Sequence, residues 1–104
     1  MEHITVEQLR AWMLDSQIEY TLIDVREASE HAEGNLGGTL IPLSEVVKRY
    51  QEFGCAKPVV VYCRKGVRSQ IAIQRIEALL PESQRLLNLI GGIEAWKKQF
   101  PLPS

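Results

Sequence analysis

The feature that most constrains this chain is the segment Pro58 to Ser69, "PVVVYCRKGVRS". Its first half is an unbroken apolar, largely β-branched run. That is the pattern of a central parallel strand covered on both faces rather than of a strand with one wet side. A short polar loop follows, and Ala72, Ile73, Ile76, Leu79 and Leu80 then mark a helix beginning near Ser69 and ending before Pro81.

The rest of the chain repeats the alternation. Thr5 and Gln8 form a capping-box pattern ahead of a helix over about Val6 to Leu14, with Val6, Leu9 and Met13 on one face. Tyr20 to Val25 reads as a buried strand. One helical turn is expected around Ala28 to Ala32, before Gly34, Gly37 and Gly38 interrupt regular structure, and a brief strand at Thr39 to Ile41. Ser44 is the expected N-cap of a helix carrying Val46, Val47, Tyr50 and Phe53 and stopped by Gly54. Arg85 to Leu89 supplies a last strand, and Gly91 and Gly92 lead into a helix with Ile93, Trp96 and Phe100 on one side, Trp96 as a core aromatic. Alternating strands and helices predict a three-layer α/β domain with a mainly parallel sheet.

Its 104 residues, 45% of them hydrophobic, suit one compact domain over the whole chain, without need of disulfides or a structural metal. A formal charge of −1 gives no global attraction to nucleic acid or an anionic membrane, and no apolar run approaches the ~20 residues that span a bilayer. With no secretory signal in the first residues, a cytoplasmic location is expected. No leftover apolar stripe calls for a partner subunit, so a monomer is expected. Cys55 and Cys63 are too few for a disulfide framework, and no Cys/His spacing suggests zinc; no cofactor is called for.

Of the two cysteines, Cys63 stands where open parallel sheets bind ligands, at the carboxyl end of a strand leading into a helix N-terminus. The reactive form of cysteine is the thiolate. Arg64, Lys65 and Arg68 place three cations within five residues of the sulfur, and the helix start adds its partial positive charge; each stabilises a negative sulfur. Gly66 permits backbone angles that let successive amides turn inward as an anion-binding nest. A cysteine in a strand is ordinarily a small buried hydrophobe. Here its position, the cations, the mid-loop glycine and the immediate helix favour a nucleophile. Cys55, with Lys57 as its nearest charge, has none of this company and reads as a bystander thiol. Of the 12 basic residues, three lie in this one loop, which makes the chain an acidic body, with 13 acidic residues, around a positive pocket.

Three segments then carry a family resemblance. "LIDVREASEHAEGNLGGTLIPLSEV" resembles the Asp-x-Arg, acidic residue, Gly turn and Ile-Pro series of the rhodanese-like domains, "VVVYCRKGVRS" their active-site strand and loop, and "LIGGIEAWKK" their C-terminal signature. The resemblance, to the single-domain type, covers nearly the whole chain in the right order and spacing. It implies a rhodanese-like fold and a sulfurtransferase. Cys63 would take the sulfane sulfur of a small anionic donor such as thiosulfate, hold it as a persulfide, and pass it to cyanide, a thiol or a protein acceptor. The loop from Arg64 through Lys65, Gly66, Val67 and Arg68 to Ser69 would cradle the persulfide, its cations drawing in the donor.

Asp24 and Arg26 match the family's Asp-x-Arg and read either as scaffold beside the site or as a surface ion pair at a strand end. Glu30 resembles the acid that commonly partners this Arg. The chain departs from the family at Gly34-Asn35, where Gly-His is usual, and at Gly37-Gly38-Thr39, where Pro-Gly-Ala is common; both bear on the rigidity of the turn. His3 and His31 lie in no motif that would make either a base for Cys63 and read as surface residues, which argues against a Cys/His protease mechanism. A phosphatase loop needs Cys-x5-Arg, whereas here Arg68 gives Cys-x4-Arg, a smaller cradle that suits a sulfur atom. Two alternatives keep the fold but change the role: a relay domain handing persulfide sulfur to a partner protein, and a non-catalytic binding module.

Overall fold

The computed structural model describes residues 1–54 and 56–103. In chain order the elements are β1 (Glu2–Ile4), α1 (Val6–Leu14), β2 (Thr21–Asp24), α2 (Ala28–Glu33), β3 (Thr39–Leu40), β4 (Val59–Tyr62), α3 (Val67–Ile76), β5 (Leu86–Leu89) and α4 (Gly92–Gln99). The five strands form one sheet in the order β1-β5-β4-β2-β3, and every described pairing is parallel.

β4 lies at the centre, where its unbroken apolar run requires it to be. Val60 pairs with Leu22 on one side and Leu87 on the other, and all four residues of β4 are buried. Because side chains alternate across a strand, Val59, Val61 and Cys63 enter a core layer with Ala72, Ile73 and Ile76 of α3. Val60 and Tyr62 enter the opposite layer with Leu9 of α1 and Ile93 and Trp96 of α4. This is the three-layer α/β arrangement that the alternation of elements predicted.

The capping box forms as read: Gln8 N–H donates to Thr5 Oγ1 at 3.1 Å, and Thr5 N–H donates to Gln8 Oε1 at 2.9 Å. The helix expected from Ser44 does not form. Leu43–Glu45 and Tyr50–Phe53 are separate 3-10 turns, and Pro42 rather than Ser44 precedes the first. Two adjacent β-branched residues, Val46 and Val47, weaken helix propensity here. Burying Val46 and Phe53 in the α3-side layer, with Val47 left half exposed, satisfies the apolar pattern without a continuous helix. β1 carried no visible signal, since two of its three residues, Glu2 and His3, are polar and exposed. α3 begins two residues before Ser69. It ends at Ile76, and Glu77–Leu79 continues as a 3-10 turn. Leu80 is extended, as the residue before a proline tends to be.

Candidate active site

Cys63 leaves the end of β4 and the chain reverses through Arg64, Lys65 and Gly66 into α3. Gly66 has φ +99°, a left-handed conformation that side-chain-bearing residues rarely adopt. The turn it makes aims two backbone amides at the sulfur: Gly66 N–H donates to Cys63 Sγ at 3.1 Å and Ser69 N–H at 3.4 Å. The Ser69 hydroxyl lies 3.4 Å from the same sulfur. Among the described residues, Gly66 and Ser69 supply the backbone amide contacts to the Cys63 sulfur itself. Cys63 itself is 1% exposed. It opens onto a shallow depression of ≈ 280 Å³ whose other walls are Arg64, Lys65, Val67 and Arg68.

Two of the three loop cations have acidic partners. Arg68 makes a two-pronged ion pair with Glu30 of α2, its Nη1 and Nη2 donating to the carboxylate at 2.7 and 2.9 Å. These hydrogen bonds hold the Glu30 carboxyl down to about 2. Glu30 in turn raises the pKa of Arg68. Arg64 Nε lies 3.2 Å from Glu94 Oε2 of α4. Among the described residues that oxygen has no hydrogen-bond donor, so the contact is one of charge alone. Among the described residues Lys65 is the loop cation without an ion pair. Sequence counting missed this because both acids come from other elements, 38 and 30 positions away.

Asp24 and Arg26 form a buried pair, not a surface one. The fully buried Asp24 carboxylate accepts from Arg26 N, Nε and Nη2 at 2.8–3.1 Å, and His31 Nδ1 lies 2.9 Å away. Burial works against the Arg26 charge, but its hydrogen bonds to Asp24 together with the neighbouring negative charge outweigh that and raise its pKa. Arg26 also donates to the Gly34 carbonyl at 2.8 Å and lies over the Tyr62 ring. The pair thus ties the 34–38 turn to the end of β4 without touching Cys63. Two sequence expectations are overturned here. Glu30 partners Arg68 rather than Arg26, and His31 is half-buried against Asp24 rather than a surface residue.

The departures in the turn are compensated. Asn35 Oδ1 accepts from Gly37 N–H at 2.8 Å and its Nδ2 donates to the His31 carbonyl at 2.9 Å. Tyr62 locks the far side, donating to the Gly37 carbonyl and accepting from Leu36 N–H. Burial pushes the Tyr62 phenol up, keeping it neutral as a donor.

Two residues beyond the sequence-derived set complete the surroundings. Gly92 lets the start of α4 dock on the loop, where Ile93 N–H donates to the Cys63 carbonyl at 2.9 Å and Glu94 N–H to that of Arg64 at 3.0 Å. Asn88, buried in β5, receives the Ser69 hydroxyl hydrogen on Oδ1. Its signal was a lone amide inside the run "LLNL". Cys55 lies outside the described residues.

The sequence profile of the rhodanese-like domain matches residues 5–99. An uncharacterised Bacillus subtilis protein, YqhL, is 38% identical over 97 residues, covering 92% of this chain and 72% of its own length. The thiosulfate sulfurtransferase GlpE of Coxiella burnetii is 28% identical over 102 residues, 97% of this chain and 94% of its own. The crystal structure of a rhodanese-like domain protein from Staphylococcus aureus superimposes with a TM-score of 0.82 at 27% identity, covering 100% of both chains. The chain belongs to the rhodanese-like domain family, which includes named sulfurtransferases. No helix among the described residues is long and apolar enough to cross a membrane.

Proposed function

We propose that this protein is a sulfurtransferase that carries sulfane sulfur on Cys63, with thiosulfate or a persulfide donor as the first substrate. The observation that carries this reading is the convergence of the Gly66 and Ser69 amides on Cys63 Sγ. Fixed N–H donors stabilise negative charge on sulfur in a buried site and need no reorganisation when it develops.

In the first step the Cys63 thiolate attacks the outer sulfur of thiosulfate. The new S–S bond forms as the old one breaks, and sulfite leaves with the bonding pair. The terminal sulfur of the resulting persulfide sits in the depression walled by Arg64, Lys65, Val67 and Arg68. In the second step a nucleophile, cyanide in an assay or a thiol, attacks that terminal sulfur and the Cys63 thiolate departs. Two half-reactions through a covalent intermediate give ping-pong kinetics. Lys65 supplies the unpaired positive charge that draws the anionic donor. Arg68, held by Glu30, is not free to clamp a phosphate, which together with the Cys-x4-Arg spacing disfavours phosphatase chemistry.

Intact-protein mass spectrometry after thiosulfate treatment tests the reading. The expected result is a gain of one sulfur mass that cyanide removes and Cys63→Ala abolishes, while Cys55→Ser leaves it in place. Absence of the adduct in the unsubstituted protein overturns thiosulfate as donor. Absence with low-molecular-weight persulfides as well overturns the sulfurtransferase reading and leaves a binding module.

A further inference from the structure

A chain of polar contacts runs from the sulfur of Cys63 to the edge of the sheet. Asn88 is 2% exposed within a strand whose other residues are leucines. An amide buried in such surroundings is costly unless both its ends are paired. Its Oδ1 accepts the hydrogen of the Ser69 hydroxyl, and its Nδ2 lies 3.2 Å from Nδ1 of His3, an exposed residue of β1. The Ser69 hydroxyl lies 3.4 Å from Cys63 Sγ.

A serine hydroxyl has one hydrogen and two lone pairs. With the hydrogen committed to Asn88, only lone pairs face the sulfur. A thiol can donate into them, whereas a thiolate meets them with repulsion that offsets part of the attraction of the two loop amides. The amide orientation that imposes this is the one in which Nδ2 faces an accepting His3 Nδ1. The reversed amide would donate to the Ser69 oxygen and free the hydroxyl to turn toward the sulfur.

We propose that Asn88, held in orientation by His3, is a positioning residue for Cys63: through the Ser69 hydroxyl it favours the protonated sulfur, and releasing it lets that hydroxyl donate to the anion. The proposal rests on reading Cys63 as the nucleophile. The charged groups on the surrounding elements stay constant in its test. Around Cys63 these are Arg64 and Lys65 of the loop, Arg68 of α3 with Glu30 of α2, Asp24 and Arg26 at the end of β2, and Glu94 of α4. Beside His3 they are Glu2 and Arg85, which pair with each other.

The test is the pH dependence of Cys63 alkylation by iodoacetamide, read by peptide mass mapping so that Cys55 adducts are counted separately. Asn88→Ala is expected to lower the alkylation midpoint by about one pH unit, about tenfold more thiolate at a pH below it, the scale of one hydrogen bond to a charged group. His3→Ala shifts it in the same direction. In a Ser69→Ala background the effect of Asn88→Ala disappears, so the double variant coincides with Ser69→Ala. An unchanged or raised midpoint in Asn88→Ala, or an equal shift with and without the Ser69 hydroxyl, overturns the proposal. Should Asn88→Ala fail to fold, His3→Ala at its exposed position decides by the same criterion, an unchanged midpoint overturning it. Alkylation needs no sulfur donor. A protein that accepts no sulfur from any donor therefore refutes the sulfurtransferase reading while leaving this measurement intact.

Discussion

A side-chain carbon placed on Gly92 would lie 2.4 Å from the carbonyl oxygen of Cys63, so the first turn of α4 is seated directly on the backbone that presents the sulfur. The loop is thereby held from two sides: Gly66 and the first turn of α3 supply amides to the sulfur, and α4 supplies amides to the carbonyls of Cys63 and Arg64.

Gly92→Ala is accordingly expected to destabilise the protein. The residue has φ +60°, and the added carbon meets backbone atoms rather than a movable side chain. A left-handed non-glycine residue alone costs about 1–2 kcal/mol, and the clash adds to it. A loss of about 2 kcal/mol or more, roughly 10 °C in Tm for a domain of this size, should appear in thermal unfolding. Unchanged Tm would mean that α4 is less firmly seated than the geometry implies.

Asp24→Asn should be costly although it lies away from the sulfur. It removes the charge that compensates the buried Arg26, and breaking a buried pair by neutralising one partner costs about 3–5 kcal/mol. Urea unfolding should register the loss, accompanied by faster hydrogen exchange in the 34–38 turn that Arg26 anchors.

The Glu30–Arg68 pair makes a pH prediction with a definite sign. Glu30 is held from 4.5 down to about 2 in the folded protein. Its contribution to stability is therefore fully present above pH 4.5 and lost as pH falls toward 2. Glu30→Gln should be less stable than the unsubstituted protein at pH 6. The two should converge as the pH approaches 2, measured as unfolding midpoints in urea across that range. A constant difference at all pH values would assign the effect to packing rather than charge.

Lys65→Ala should raise the KM for thiosulfate by about threefold at low salt, with the effect shrinking as ionic strength screens it. Arg64→Ala should do less, because Glu94 already offsets the Arg64 charge. Steady-state kinetics at two salt concentrations would separate the residues, and equal effects would show that the ion pair does not attenuate Arg64.

Much of the fold was legible because it rests on local patterns. The strand "VVVY", the capping box at Thr5 and the helices after Gly66 and Gly91 announce themselves through periodicity, caps and breakers within a few residues. The helix expected at Val46 to Phe53 failed because its periodic apolar residues are used by two tight turns that tertiary packing selects. β1 was silent because pairing with β5, not any apolar pattern of its own, makes Glu2 to Ile4 a strand.

For the site the division is similar. "CRKGVRS" by itself singled out the thiol proposed as nucleophile: a cysteine at the end of the most apolar strand, followed by a glycine and a helix start, depends only on neighbours in the chain. Tertiary structure decided how much charge reaches that thiol and which groups surround it. Glu30 and Glu94 offset two of the three cations, Asn88 claims the Ser69 hydroxyl, and Asp24 and Arg26 become buried scaffold. Each of these depends on a partner brought in from a distant element, and electrostatic interactions follow distance in space and burial rather than spacing along the chain.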